Sequence, residues 1–172
     1  MHAVIASRLW IVINTHANRE QIALEHLKRQ GFDAYCPLIR KRLSHARRKQ
    51  DVLRPLFRGY LFVRIDEYSD RWRPILSTVG VREIVRFGSR LAFLDPDVVN
   101  TLRQREEDGA MSEPSPDFHV GEQVNINSGP FEGTVAQILS VGENERIVLL
   151  LQLLQGSVRA HVNRTQISRS AS

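Results

Sequence analysis

The first 105 residues read β-α-β-β-α-β with a trailing helix, which predicts an α+β fold on the split βαβ, ferredoxin-like plan, an antiparallel sheet laid against helices. Two further observations set the organisation. Residues 106 to 117 contain Pro114, Pro116, Gly109 and almost no apolar side chain, and read as an acidic flexible linker. Beyond it, residues 121 to 135 form an alternating strand, a tight Gly129-Pro130-Phe131 turn and a second alternating strand. The expected domains are therefore 1–105 and 118–172.

Each element has a local reason. Leu9 to Asn14 is apolar enough for a buried strand. Asn18 is expected to open a helix, with Gln21 three residues on as in a capping box; Ile22, Ala23, Leu27 and His26 give its inner stripe, and Gly31 ends it. Ala34 to Ile39 and Val52 to Ile65 are strand-like runs separated by a hydrophilic stretch from Arg40 to Asp51, the pattern of a long hairpin with a basic tip. A short helix around Arg71 to Thr78, a strand from Glu83 to Phe87 and a last helix follow. Asp95 is the N-cap of that helix and Pro96 its first residue, where a missing N–H costs nothing. In the C-terminal segment Val124 and Ile126 share one face by the period of two. Gly129 and Gly133 allow close backbone approach there, and Pro130 pre-sets one turn dihedral.

Composition excludes several classes. With 42% hydrophobic and 25% charged residues among 172, the chain is globular rather than disordered. No apolar run approaches the ~18 residues that span a bilayer, and the segment from Met1 to Arg8 lacks the features of a signal peptide. The single cysteine, Cys36, rules out an internal disulfide framework and suits a reducing compartment, so a cytoplasmic monomer with no membrane contact is expected.

The net charge of +5 hides a division. Residues 1 to 105 carry 20 Lys and Arg against 10 Asp and Glu, residues 106 to 117 carry none against 5, and residues 118 to 172 carry 4 against 4. A basic first domain favours polyanions, nucleic acid above all, although such a surface also serves solubility. Catalysis finds no support. The histidines at 2, 16, 26, 45, 119 and 161 show no metal-ligand spacing with Cys36 or with clustered carboxylates, and no phosphate-binding loop, nucleophile elbow or dinucleotide glycine pattern occurs. No cofactor and no metal are expected.

The strand that follows Leu56 is apolar on both faces, with Leu61, Val63 and Ile65 on one and Tyr60 and Phe62 on the other. One face packs on the helices. The second needs a cover, which the third helix, the second domain or a partner protein could supply. Tyr60 and Phe62 either complete an internal core or, rimmed by Arg58 and Arg64, form an interface hot spot.

Trp10-Ile-Val-Ile-Asn, Ala23-Leu-Glu-His-Leu27, Pro55-Leu-Phe-Arg-Gly-Tyr-Leu-Phe-Val63, Gly80-Val81 with Val85-Arg-Phe-Gly88, and Phe131-Glu-Gly133 with Leu149-Leu-Leu151 resemble, in order and spacing, the NusG family of transcription elongation factors, and most of all its specialised RfaH branch. The segment around Gly129 is similar to a KOW motif, which implies a small SH3-like barrel after the NusG-type N-terminal domain. The resemblance implies that Phe57, Tyr60 and Phe62, with Val85 and Phe87, hold the clamp helices of RNA polymerase, and that Arg71, Trp72 and Arg73 lie where the family touches the gate loop. That bridge suppresses pausing or termination. By the same resemblance His16, Arg19, His26, Arg29 and Gln30 lie at or along a DNA-facing helix; Arg40, Lys41, Arg42, Arg47, Arg48 and Lys49 crowd the hairpin, either as a solvated tip or, through phosphate attraction, as a contact to non-template or upstream DNA. The KOW surface around Val124, Ile126, Phe131 and the turn Gly129, Pro130 and Gly133 would bind a small-subunit ribosomal protein or a termination factor. The alternative is a ribosome-associated RNA-binding KOW protein, but a barrel made for RNA should itself be basic, and this one is near neutral.

The run Arg146-Ile-Val-Leu149-Leu-Leu-Gln-Leu-Leu154-Gln is ambivalent. Alternate leucines in a barrel strand would face outward and need cover, whereas leucine is also a strong helix former and Gln152 and Gln155 suit a helix exterior. The RfaH branch uses two packings of such a segment, a helical hairpin that masks the aromatic patch and a barrel. The expectation here is that the barrel is the active form and that a helical, masking form exists in the intact chain.

Overall fold

The computed structural model describes residues 8–66, 68, 70–113, 138, 139 and 141–155. In chain order these give β1 (Arg8–Thr15), α1 (Glu20–Arg29), β2 (Asp33–Tyr35), β3 (Leu38–His45), β4 (Arg48–Pro55), β5 (Tyr60–Asp66) and a 3-10 helix (Asp70–Ser77). They continue with β6 (Val81–Ile84), β7 (Arg86–Phe87), β8 (Arg90–Leu91), β9 (Phe93–Leu94), α2 (Pro96–Gln104), β10 (Met111–Ser112) and a helix α3 over residues 143–155. The main sheet runs β2-β5-β1-β6, with β9 also paired to β1, and its pairings are antiparallel. This is the strand order of a ferredoxin-like sheet.

Each face of the sheet has its own core. Ile11 and Ile13 of β1 and Leu61, Val63 and Ile65 of β5 pack against Ala23 and Leu27 of α1 and Ile75 of the 3-10 helix. Trp10, Val12 and Phe62 point the other way, onto Val98, Val99 and Leu102 of α2 and onto Leu150 and Leu154 of α3. The double-sided apolar pattern of β5 is thus used in full, and the second face is covered jointly by the third helical element of the first domain and by the C-terminal segment.

Several local expectations are corrected. Asn18 sits in the left-handed region with φ 58, and the helix N-cap is Arg19, whose side chain makes no capping bond. Glu20 is instead turned into the protein, where its Oε1 accepts the Gly59 N–H at 2.8 Å. Gly31 does end α1: its N–H donates to the Lys28 carbonyl and that of Phe32 to the Leu27 carbonyl, the paired closure of a Schellman motif. At α2 the Asp95 carboxylate accepts the Asp97 N–H at 2.9 Å, as its sequence position predicts.

The run from Ala34 to Ile39 is broken at Cys36 and Pro37, since proline cannot donate to a ladder. The hydrophilic stretch between Arg40 and Asp51 is itself extended. β3 and β4 pair in register from Leu38↔Pro55 to His45↔Arg48 and form a separate ribbon. Its tip is a two-residue turn in which Ala46 and Arg47 both have positive φ, 45 and 68. That geometry matches strand twist, although neither residue is the glycine or asparagine that would announce it.

Composition made residues 106 to 117 a linker, but Ala110 and Met111 within it are fully buried. β10 runs parallel to β3, with Met111 opposite Ile39 and Ser112 opposite Arg40. Two apolar residues are enough to dock a short segment, which composition averaged over the stretch conceals.

Candidate functional site

The turn between β4 and β5 carries Phe57 and is fixed at both ends. The Leu56 N–H donates to the Pro37 carbonyl at 2.8 Å and the Tyr60 N–H to the Phe57 carbonyl at 3.0 Å. Gly59 is clamped further: its carbonyl accepts from the Thr15 N–H at 2.8 Å and from Asn14 Nδ2 at 3.0 Å, while its N–H is taken by Glu20. So held, Phe57 meets Phe62 with ring centroids 5.9 Å apart and planes tilted by 55°, and Phe62 meets Tyr35 at 6.3 Å. These are favourable tilted aromatic contacts.

Phe57 and Phe62 are fully buried, and Tyr60, Val85 and Phe87 are half-buried against the same cluster. The patch is not open in this state, contrary to the exposed reading. α3 lies on it, with Leu150 and Leu154 buried one turn apart, and Ile138 and Leu139 buried beside them. The leucine run is therefore helical here rather than a strand. Among the described residues the ion pairs of this cover are long: Arg58 to Glu143 at 3.9 Å, and Arg146 to Glu113 at 3.9 Å. Arg146 is buried, its Nε donates to the Ile138 carbonyl at 3.3 Å, and its Nη1 has no hydrogen-bond partner among the described residues. A buried guanidinium with an unpaired nitrogen and one long ion pair opposes the apolar contacts around it.

Arg71, Trp72 and Arg73 belong to the 3-10 helix on the opposite face of the sheet. Trp72 is half-buried against the α1 core, and the Arg86 guanidinium lies 5.9 Å from its ring centre. Arg71 and Trp72 share a shallow cleft of about 420 Å³ with Arg8, Gln30, Phe32 and Arg64. Two of the expected polymerase contacts are thus brought together with one residue expected to meet DNA.

The expected DNA-facing residues divide between the two ends of α1. His16 and Arg19 are exposed before its first turn, and His26, Arg29 and Gln30 cluster at its last. Gln30 has a structural task, since its Nε2 donates to the His26 carbonyl at 3.1 Å and to Thr78 Oγ1 at 2.8 Å, tying α1 to the 3-10 helix. Positive charge at a helix C-terminus also complements the macrodipole. Arg47, Arg48 and Lys49 are exposed at the tip of the β3–β4 ribbon. The KOW-turn residues Val124, Ile126, Gly129, Pro130, Phe131 and Gly133 lie outside the described residues.

Sequence reasoning did not find the stack in which the Arg103 guanidinium sits 5.2 Å from the Trp10 ring and 4.8 Å from the Tyr35 ring. Tyr35 also donates its hydroxyl to Glu106, and burial, that hydrogen bond and the carboxylate's charge raise its pKa well above the ordinary phenol value. Only an i-to-i+93 neighbour relation reveals this stack, and no local pattern encodes it. Among the described residues no three His, Cys, Asp or Glu side chains gather as a metal-binding group, and no helix is long and apolar enough to cross a membrane.

A family profile described as "Transcription termination factor nusG" matches residues 8–103. The transcription termination/antitermination protein NusG of Thermus thermophilus is 32% identical over 152 residues, which cover 75% of this chain and 82% of that protein. That of Staphylococcus carnosus is 22% identical over 98% of this chain and 100% of its own. A solved structure titled "Domain interaction in Thermotoga maritima NusG" aligns with a TM-score of 0.41 at 20% identity, covering 73% of this chain and 76% of that one.

Proposed function

Since the chain belongs to the NusG family of transcription termination and antitermination factors, we propose that it binds RNA polymerase through the sheet face built on Phe57, Tyr60 and Phe62, flanked by Val85 and Phe87, after α3 has left it. In this reading the Arg71-Trp72-Arg73 edge touches the gate loop and the aromatic face grips the clamp helices. Their positions on opposite faces of one sheet suit a bridge across a channel. The bridge suppresses pausing or termination in the cytoplasm, without catalysis or cofactor.

The observation that carries this is the cover itself. α3 places Leu150 and Leu154 on the aromatic face, yet among the described residues its ion pairs are about 3.9 Å long and Arg146 Nη1 lacks a hydrogen bond. Such a cover suits a surface that must be protected in one state and available in another. It also agrees with the RfaH-like rather than the general NusG-like role, with the KOW segment, once released, linking to a small-subunit ribosomal protein or a termination factor. His16, Arg19, His26, Arg29 and the ribbon tip add contacts to non-template or upstream DNA.

The direct test is Leu150→Asp with Leu154→Asp in the full chain. Placing two carboxylates in the covered face removes the apolar gain of about 1.5–3 kcal/mol per leucine and adds a desolvation cost. Binding to purified RNA polymerase should rise at least tenfold. Equal binding by the wild-type and double-substituted chains, with the helix signal lost in the latter, would sink the proposal.

A further inference from the structure

The acidic segment after α2 does more than connect. Glu107 and Ala110 exchange N–H···O bonds across Asp108 and Gly109, both with positive φ, 52 and 80, which makes a tight hairpin turn. The chain then lays β10 along β3 toward the ribbon tip. Arg40 Nη2 donates to the Glu107 carbonyl at 3.4 Å, and Glu113, the residue after β10, approaches Lys41 at 3.9 Å. Buried Ala110 and Met111 anchor this strap while Glu107, Asp108 and Glu113 stay exposed. At the far end of the same ribbon Arg47, Arg48 and Lys49 form no ion pair with a described residue.

We propose that residues 107–113 are an intramolecular polyanion strap that competes with DNA phosphates for the root of the basic β3–β4 ribbon, at Arg40 and Lys41. The inference rests on the proposed DNA role of that ribbon. At Lys41 the Glu113 carboxylate, and at Arg40 the Glu107 backbone carbonyl, stand where phosphate oxygens would approach, and the exposed Glu107 and Asp108 carboxylates add negative charge beside them, so the docked acidic segment raises the threshold for DNA without altering the tip. The strap has a second connection, because Glu113 is also the counter-ion of Arg146 on α3. Substitutions at Glu107 and Asp108 leave that pair intact and isolate the effect on DNA.

The experiment measures binding of fluorescein-labelled duplex DNA by anisotropy across a salt series, with the full chain. Glu107→Gln with Asp108→Asn, a residue that tolerates positive φ, should bind about two- to fivefold more tightly at low salt, and Glu113→Gln should act in the same direction. An equal charge change away from both the ribbon and α1, Glu83→Gln with Asp97→Asn, both exposed, should have a smaller effect. The gain should vanish when Arg40 and Lys41 are both glutamine. A gain that persists in that background, or a control that matches the strap variants, overturns the proposal in favour of net charge. Neutralising Arg47, Arg48 and Lys49 separates the two readings: an unchanged salt slope refutes DNA binding by the ribbon and the strap with it, whereas a reduced slope with silent strap variants refutes the strap alone.

Discussion

Single residues in this protein carry environment-dependent tasks. Cys36 is buried between β2 and β3, and burial, helped by the Glu20 carboxylate, pushes its thiol up to about 12. The folded state therefore holds the proton longer than the unfolded state. The stability contributed by the neutral thiol is complete below about pH 9 and is lost as pH rises towards about 12, at up to about 1.4 kcal/mol per pH unit. Urea unfolding across that range should show the decline, and Cys36→Ala should flatten it. Gly80 makes a second prediction. It has φ +89, and a Cβ there would lie 3.1 Å from the Ala23 amide nitrogen and from its Cβ, both in α1. Gly80→Ala should cost more than about 1 kcal/mol, read as a lower urea midpoint, because both the backbone angle and the close helix approach require glycine.

Among the elements, β5 connects core and candidate interface. Phe62 is fully enclosed between β1, β2 and the covering helices, so its truncation would cost about 3–5 kcal/mol of stability and obscure any binding effect. Tyr60 is only half-buried on the same face and is the better probe. In the chain opened by Leu150→Asp and Leu154→Asp, Tyr60→Ala should weaken polymerase binding by about 2 kcal/mol, with a much smaller change in thermal stability, if it acts as an interface anchor. A stability loss as large as the binding loss would return Tyr60 to the core.

For the molecule as a whole, charge separates along the chain and is then partly recombined in space. The ribbon belongs to a sheet separate from the main one and keeps the cations of its tip exposed, and the acidic strap returns to its root. Replacing Arg47, Arg48 and Lys49 with glutamine should flatten the salt dependence of recruitment to DNA-bound polymerase, since fewer counterions are released. The measurement is the slope of log affinity against log salt. No change in slope would reduce the tip to a solvated turn.

The amino-acid sequence by itself determined features whose causes are local. The doubly apolar pattern of β5, the Asp95-Pro96 start of α2, the Gly31 stop of α1 and the basic excess of the first 105 residues each have a reason within a few neighbours. Tertiary structure decided what local pattern leaves degenerate. A leucine run buries its side chains equally well as a barrel strand or as a helix, and the apolar face of Trp10, Val12, Phe57 and Phe62 is what favours the helix. Glu20 looks like an ordinary first-turn acid until Gly59, 39 residues away, supplies the N–H that draws it inward. Residues 107–113 read as linker by composition and dock on β3 by contact, because two buried side chains outweigh the average of the residues around them.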